Sequence, residues 1–182
     1  MTVMDALQEF MEQAGIRYRQ DQDTSVVKTG FAGKNGLFDS FAEVDEDAGT
    51  LLVITLCPVQ VPDSHSSAIA DLMARINWAI ELGNFQMHAE KGVVAFRTSV
   101  MFKGTSPDPK VIEHVVFSNW AGMDRYFPAI TAVLHTGMSP RDAFELAESP
   151  SAPAHEAEPA NQARRSRRFG GRLGGLTDGP FN

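Results

Sequence analysis

The sequence predicts an α+β fold: an antiparallel sheet with helices packed mainly on one face, in the order α-β-β-β-α-β-β-α-α, followed by a disordered C-terminal tail. Three observations predict it. Stretches with the apolar spacing of one helical face are interleaved with short β-prone stretches, the latter joined by turns built on Gly, Asn and Asp. One strand, Leu51-Leu52-Val53-Ile54-Thr55-Leu56-Cys57, is apolar at both alternating positions, the pattern of a central strand. Another, Val93 to Phe102, puts Val94, Phe96, Thr98, Val100 and Phe102 on one face and a mixed set, including Arg97 and Ser99, on the other.

The first helix reads from Val3, Leu7, Phe10, Met11 and Ala14 and stops at Gly15. IRYRQ and SVVKTGF are short and β-prone, and Asn35-Gly36 after them suits a hairpin turn with positive φ. GLFDSFAEVDED gives the next strand, ending in the polar turn Asp45-Glu46-Asp47 and Gly49. After the central strand, Pro58 should end regular pairing. The second helix is expected from an Asp63 N-cap to Leu82, with Ile69, Leu72, Met73, Ile76 and Ile80 on one stripe and Gly83 as the stop. Phe85 to His88 and Val93 onward form a hairpin through Glu90, Lys91 and Gly92.

A long helix then follows Pro107, with Ile112, Val115, Val116, Trp120, Met123, Tyr126 and Phe127 on one stripe and Asn119 among them. A buried Asn needs partners, and bonding to nearby backbone is the simplest way to supply them. Pro128 removes the N–H that would bond the carbonyl of Asp124, so it should kink or end the helix. Ser139, Pro140 and Asp142 open a last helix by N-cap, N1 proline and acidic first turn, with Ala143, Phe144 and Ala147 on its apolar side.

Composition changes near residue 148. Residues 1–147 form the folded domain and carry 11 Lys or Arg against 19 Asp or Glu, a balance of −8, whereas residues 148–182 carry 5 against 4. The second segment is rich in Pro, Ala, Ser and Gly with few large apolar groups, too few to offset the entropy of ordering. The single Cys57 rules out an internal disulfide and reads as a small buried hydrophobe in a reducing cytoplasm. Acids at Asp5, Glu9 and Glu12 oppose a secretory signal, and no run reaches the roughly 20 apolar residues of a membrane span, so the expected location is cytoplasmic with no membrane partner.

Reactive-site patterns fail one by one. A phosphate loop ending at Gly33-Lys34 would need Gly where Lys28 stands and Ser or Thr where Asn35 stands. The acids of residues 45–47 lack the alternation, central Gly and distal Glu of a calcium loop. His65, His88, His114, His135 and His155 show neither HExxH nor close ligand spacing. No catalytic residue, metal site or cofactor is therefore assigned, and an enzyme with an unrecognised site ranks behind the binding readings.

Several residues together resemble the YbjN family of bacterial proteins: Asn77, the Gly83-Asn84-Phe85 turn, Gly92 with Phe96-Arg97-Thr98-Ser99-Val100, and Asp124-Arg125-Tyr126-Phe127-Pro128. The match spans about residues 51 to 145. The resemblance implies a compact fold like that of type III secretion chaperones, and a role in bacterial sensory regulation or a chaperone-like one. Such a role is non-enzymatic and works by binding protein.

One surface is expected to carry binding, and the tail, otherwise a solvated basic segment, offers the alternative reading. Trp78 falls opposite the core stripe of the second helix, with Ala74 and Leu82 beside it, as an interface anchor does. A homodimer is the simplest assembly, since a patch facing itself across a two-fold axis needs no second protein. In the tail, Arg164, Arg165, Arg167, Arg168 and Arg172 with Phe169 could contact RNA or another polyanion weakly and in a salt-dependent way.

Overall fold

The computed structural model describes residues 1–20 and 24–149. The elements are α1 (Val3–Gln13), β1 (Tyr18–Gln20), β2 (Val26–Ala32), β3 (Leu37–Asp45), β4 (Thr50–Leu56), α2 (Ser66–Ala79), β5 (Asn84–His88), β6 (Val93–Met101), α3 (Pro109–Thr136) and α4 (Pro140–Glu148). All six strands form one antiparallel sheet in the order β1-β2-β3-β4-β6-β5. The α+β class is as expected. IRYRQ and SVVKTGF, however, give two strands, β1 and β2, which pair with each other, so the order gains one strand before α2.

The apolar periodicities become two adjoining cores on one face of the sheet. Val3, Leu7, Phe10 and Met11 of α1 pack with Val27, Ala42, Leu51 and Val53 of the sheet and with Ile112, Val116 and Trp120 of α3. Ile69, Leu72 and Ile76 of α2 pack with Phe85, Val94 and Phe96 and with Met123, Tyr126 and Ile130 further along α3. Helix α3 crosses both cores, which is why a single long helix serves the whole domain.

Four local expectations change. The predicted cap at Asp63 is absent: residues 63–65 form a 3-10 turn, α2 starts at Ser66 and ends at Ala79, and Ile80 is already extended. Leu82 therefore lies in the connection to β5. Gly36 does not adopt the positive φ expected of it. Its lack of a side chain serves space, because a Cβ there would lie 2.9 Å from the Phe38 ring. Pro128 does not end α3, which continues eight residues beyond it to Thr136 and stops at Gly137 in the left-handed conformation. Finally α4 reaches Glu148, one residue past the boundary placed by composition, and Glu148 Oε1 accepts from Tyr126 Oη at 2.6 Å and from Arg125 Nη2 at 2.8 Å.

The β2–β3 turn is pinned to α3. The carboxylate of Asp124, 1% exposed, accepts from the backbone N–H of Asn35 at 2.7 Å and of Lys34 at 3.1 Å. Gly33 is required at this approach, since any Cβ would collide with that carboxylate.

A second polar contact ties α3 to the middle of the sheet. Asn119, fully buried, donates from Nδ2 to the carbonyls of Val53 and Phe96, each at 3.1 Å, and its Oδ1 accepts from Thr55 Oγ1 at 2.6 Å. Ser40 Oγ lies 3.1 Å from Thr55 Oγ1 and accepts from Trp120 Nε1 at 3.0 Å. Since the one Thr55 hydroxyl proton is given to Asn119, Ser40 donates in its contact with Thr55, and the chain is complete. Asn119 thus has the backbone partners expected of it, drawn from two neighbouring strands.

Candidate functional site

The opposite face of the sheet carries no helix among the described residues. Its side chains follow from register: the row Asn84, Arg97, Ile54, Phe41, Lys28 and Arg19 runs across all six strands. Ile54 is buried, Phe41, Leu52 and Leu56 are half-buried, and Arg19 and Lys28 are exposed. This explains why β4 carries large apolar residues on both of its faces. One side of it faces the helices, while the other forms an apolar strip flanked by cations and by the exposed acids Asp39 and Glu43.

At the end of this face β5 is the edge strand, and such an edge normally presents unpaired backbone groups to any passing strand. Asn77, near the end of α2, fills that role from within. Its Nδ2 donates to the carbonyl of Phe85 at 3.0 Å and its Oδ1 accepts from the Phe85 N–H at 2.7 Å. One side-chain amide thereby imitates one residue of a neighbouring strand.

Next to Asn77 in the chain, Trp78 is 92% exposed; Leu82 is 46% exposed, and Ala74 is exposed as well. No helix covers the indole. The three residues singled out from the sequence are therefore all on the surface, with Trp78 the most exposed large apolar side chain of the described residues. Because α2 ends at Ala79, Ala74 and Trp78 share a helical face while Leu82 reaches the surface from the following loop.

Leu82 also borders an open groove of about 330 Å³ on the uncovered face, lined further by Asn84, Gln86, Arg97 and Ser99. Reading the strands by hydrophobicity passed over this site. The available signal was Arg97 and Ser99 among the apolar residues of β6, which only sheet register places beside Asn84 and Gln86.

Elsewhere the ionisable groups play structural parts. Glu46 caps α1, its two oxygens accepting from the N–H groups of Val3 and Met4 at 3.0 and 2.8 Å. Cys57 is buried, and desolvation pushes its thiol up to about 11. Burial and the hydrogen bond to Glu148 push the Tyr126 phenol above its ordinary range. Among the described residues no three His, Cys, Asp or Glu side chains approach closely enough to hold a metal ion, and no helix is long and apolar enough to cross a membrane. Arg164, Arg165, Arg167, Arg168 and Arg172 lie outside the described residues.

Comparison with known proteins finds a matching family model and similar solved structures. The family model described as "YbjN: Putative bacterial sensory transduction regulator" matches residues 4–132. Among solved structures, the chain is similar to the "crystal structure of YbjN, a putative transcription regulator from E. coli", with a TM-score of 0.54 at 11% identity, covering 73% of this chain and 92% of the other. At that identity the likeness is one of fold. No curated protein sequence matches.

Proposed function

This chain belongs to the YbjN family, and from that premise we propose that it acts as a non-enzymatic, protein-binding regulator with a chaperone-like mode of action, assembling through the surface around Trp78. The observation that carries the reading is the exposure of Trp78, at 92%, beside exposed Ala74 and Leu82. An indole left in water contributes nothing to the stability of its own domain, whereas the same side chain enclosed by a partner brings a large apolar area and an N–H donor. Tryptophan is for that reason over-represented among the few residues that dominate interface energies. A second copy of the chain is the partner that requires least, since the patch then meets itself.

Equilibrium sedimentation of the parent and of Trp78→Ala tests this. The substitution should weaken the dimer by about 2 kcal/mol, roughly thirtyfold in dissociation constant, while leaving the urea midpoint of the monomer nearly unchanged. A parent that stays monomeric throughout, or a variant that dimerises as well as the parent, overturns the self-association reading.

A further inference from the structure

The groove on the uncovered face has a chemistry of its own. Arg97, Asn84, Gln86 and Ser99 line it, and none of these four side chains has a hydrogen-bond or ion-pair partner among the described residues. Cross-strand pairing sets Arg97 directly opposite Asn84, and Ala95, two residues before Arg97, opposite Gln86, so their side chains project from the same face. Arg97, Asn84 and Gln86 are half-buried, which holds them near the sheet surface. No carboxylate lines the groove, leaving one uncompensated positive charge among neutral donors. Of the other arginines in the described residues, Arg75, Arg125 and Arg141 each have a carboxylate partner, and Arg17 and Arg19, which have none, are exposed where Arg97 is half-buried.

We propose that this groove binds a carboxylate, supplied by an acidic side chain of a protein segment laid on the uncovered face. The Arg97 guanidinium takes the two oxygens as a fork, with Asn84, Gln86 and Ser99 as further donors. Size and charge both favour this ligand. A volume of about 330 Å³ is at the low end for ligand sites and admits an acidic side chain with the backbone on either side of it. One guanidinium balances one carboxylate, whereas a phosphate dianion would meet an excess of negative charge on a domain whose residues 1–147 sum to −8. Exposed Leu82 on one flank, with half-buried Phe41 further along the Arg97 row on the other, offers apolar contact to the residues beside the acid. The proposal deepens the protein-binding reading and rests on it only for the source of the carboxylate.

The test is a titration of the full chain, isotopically labelled for amide NMR, with the peptide acetyl-Gly-Leu-Glu-Leu-Gly-amide. Its counterpart with Gln for Glu and inorganic phosphate serve as comparison probes. The Glu peptide should shift the amides of residues 82–86 and 97–99 and bind about fivefold or more tightly than the Gln peptide, with the difference shrinking as salt is added. Arg97→Gln should abolish the preference and Arg97→Lys, which keeps the charge without the fork, should retain part of it. Ser99→Ala, an exposed change, should weaken the Glu peptide alone and serves if the Arg97 variants fail to fold. Equal binding of the two peptides, shifts confined to other regions, or no shift at millimolar peptide overturns the proposal. Tighter binding of phosphate than of the Glu peptide overturns it in favour of a phosphate ligand. Arg97→Gln should sediment like the parent, because Arg97 is not part of the Trp78 patch, so failure here and failure of self-association are read separately.

Discussion

Asn35 compensates for Pro128. The proline has no N–H to give to the carbonyl of Asp124 four residues earlier, and the side-chain Nδ2 of Asn35, from the β2–β3 turn, donates to that carbonyl at 2.8 Å. The turn therefore repairs the helix it docks on, and α3 continues to Thr136. Asp124 is bound at both ends of the same residue, its carboxylate holding the turn backbone and its carbonyl held by the turn side chain.

Because the two defects answer each other, Asn35→Ala and Pro128→Ala should be non-additive. Alone, Asn35→Ala leaves a buried carbonyl short of a donor and should cost about 1–3 kcal/mol. In the Pro128→Ala background the restored helical N–H takes over, and the cost of Asn35→Ala should fall by about 1 kcal/mol or more. Urea melts of the four proteins close the cycle; additive losses would show that the Asn35 bond acts independently of the proline.

Asn119→Ala should destabilise the domain by about 2–4 kcal/mol, since it strips partners from Thr55 and from the carbonyls of Val53 and Phe96 in a place water cannot reach. The check is a lower urea midpoint with an unchanged slope. A loss below about 0.5 kcal/mol would mean that the strands re-pair without the amide.

Cys57 makes stability fall at alkaline pH. Its folded pKa of about 11 lies above the ordinary 9.0, so the folded state holds the proton more tightly than the unfolded one. That contribution is complete below pH 9 and is lost as pH rises towards 11. Its size is of order 2 kcal/mol. Tyr126 acts in the same direction from about pH 10 upwards. Comparing the parent with Cys57→Ala between pH 8 and 11 isolates the thiol, and a stability gap that stays constant over that range would show that it titrates as in the unfolded chain.

The structure moves the place to cut the chain. Truncation after residue 149 should change stability by less than about 1 kcal/mol, because residues 150–182 contain few large apolar side chains that could add to a core. Truncation after residue 147 removes Glu148 and its bonds to Tyr126 and Arg125, and should cost about 1 kcal/mol more. Thermal melts of the two shortened proteins decide, with identical melting temperatures counting against a role for Glu148.

What the sequence determined by itself was everything that rests on periodicity and local chemistry. The α+β class, the core stripes of α1, α2 and α3, the central position of β4, the cap at Ser139 and the place of Trp78 opposite the core stripe of α2 are all properties of a residue and its near neighbours along the chain, whereas that no other helix covers Trp78 is not. Only tertiary structure decided the rest, because those features depend on partners distant in sequence. Pro128 is tolerated because Asn35 lies 93 residues before it in the chain and beside it in space. Gly36 is small because the Phe38 and Phe127 rings pass close by. Arg97, one polar residue in an apolar strand when read along the chain, gains its groove only when antiparallel register sets it opposite Asn84 on a face that no helix of the described residues covers. Spacing along a chain encodes which side of an element is apolar, but register and docking determine which polar groups meet.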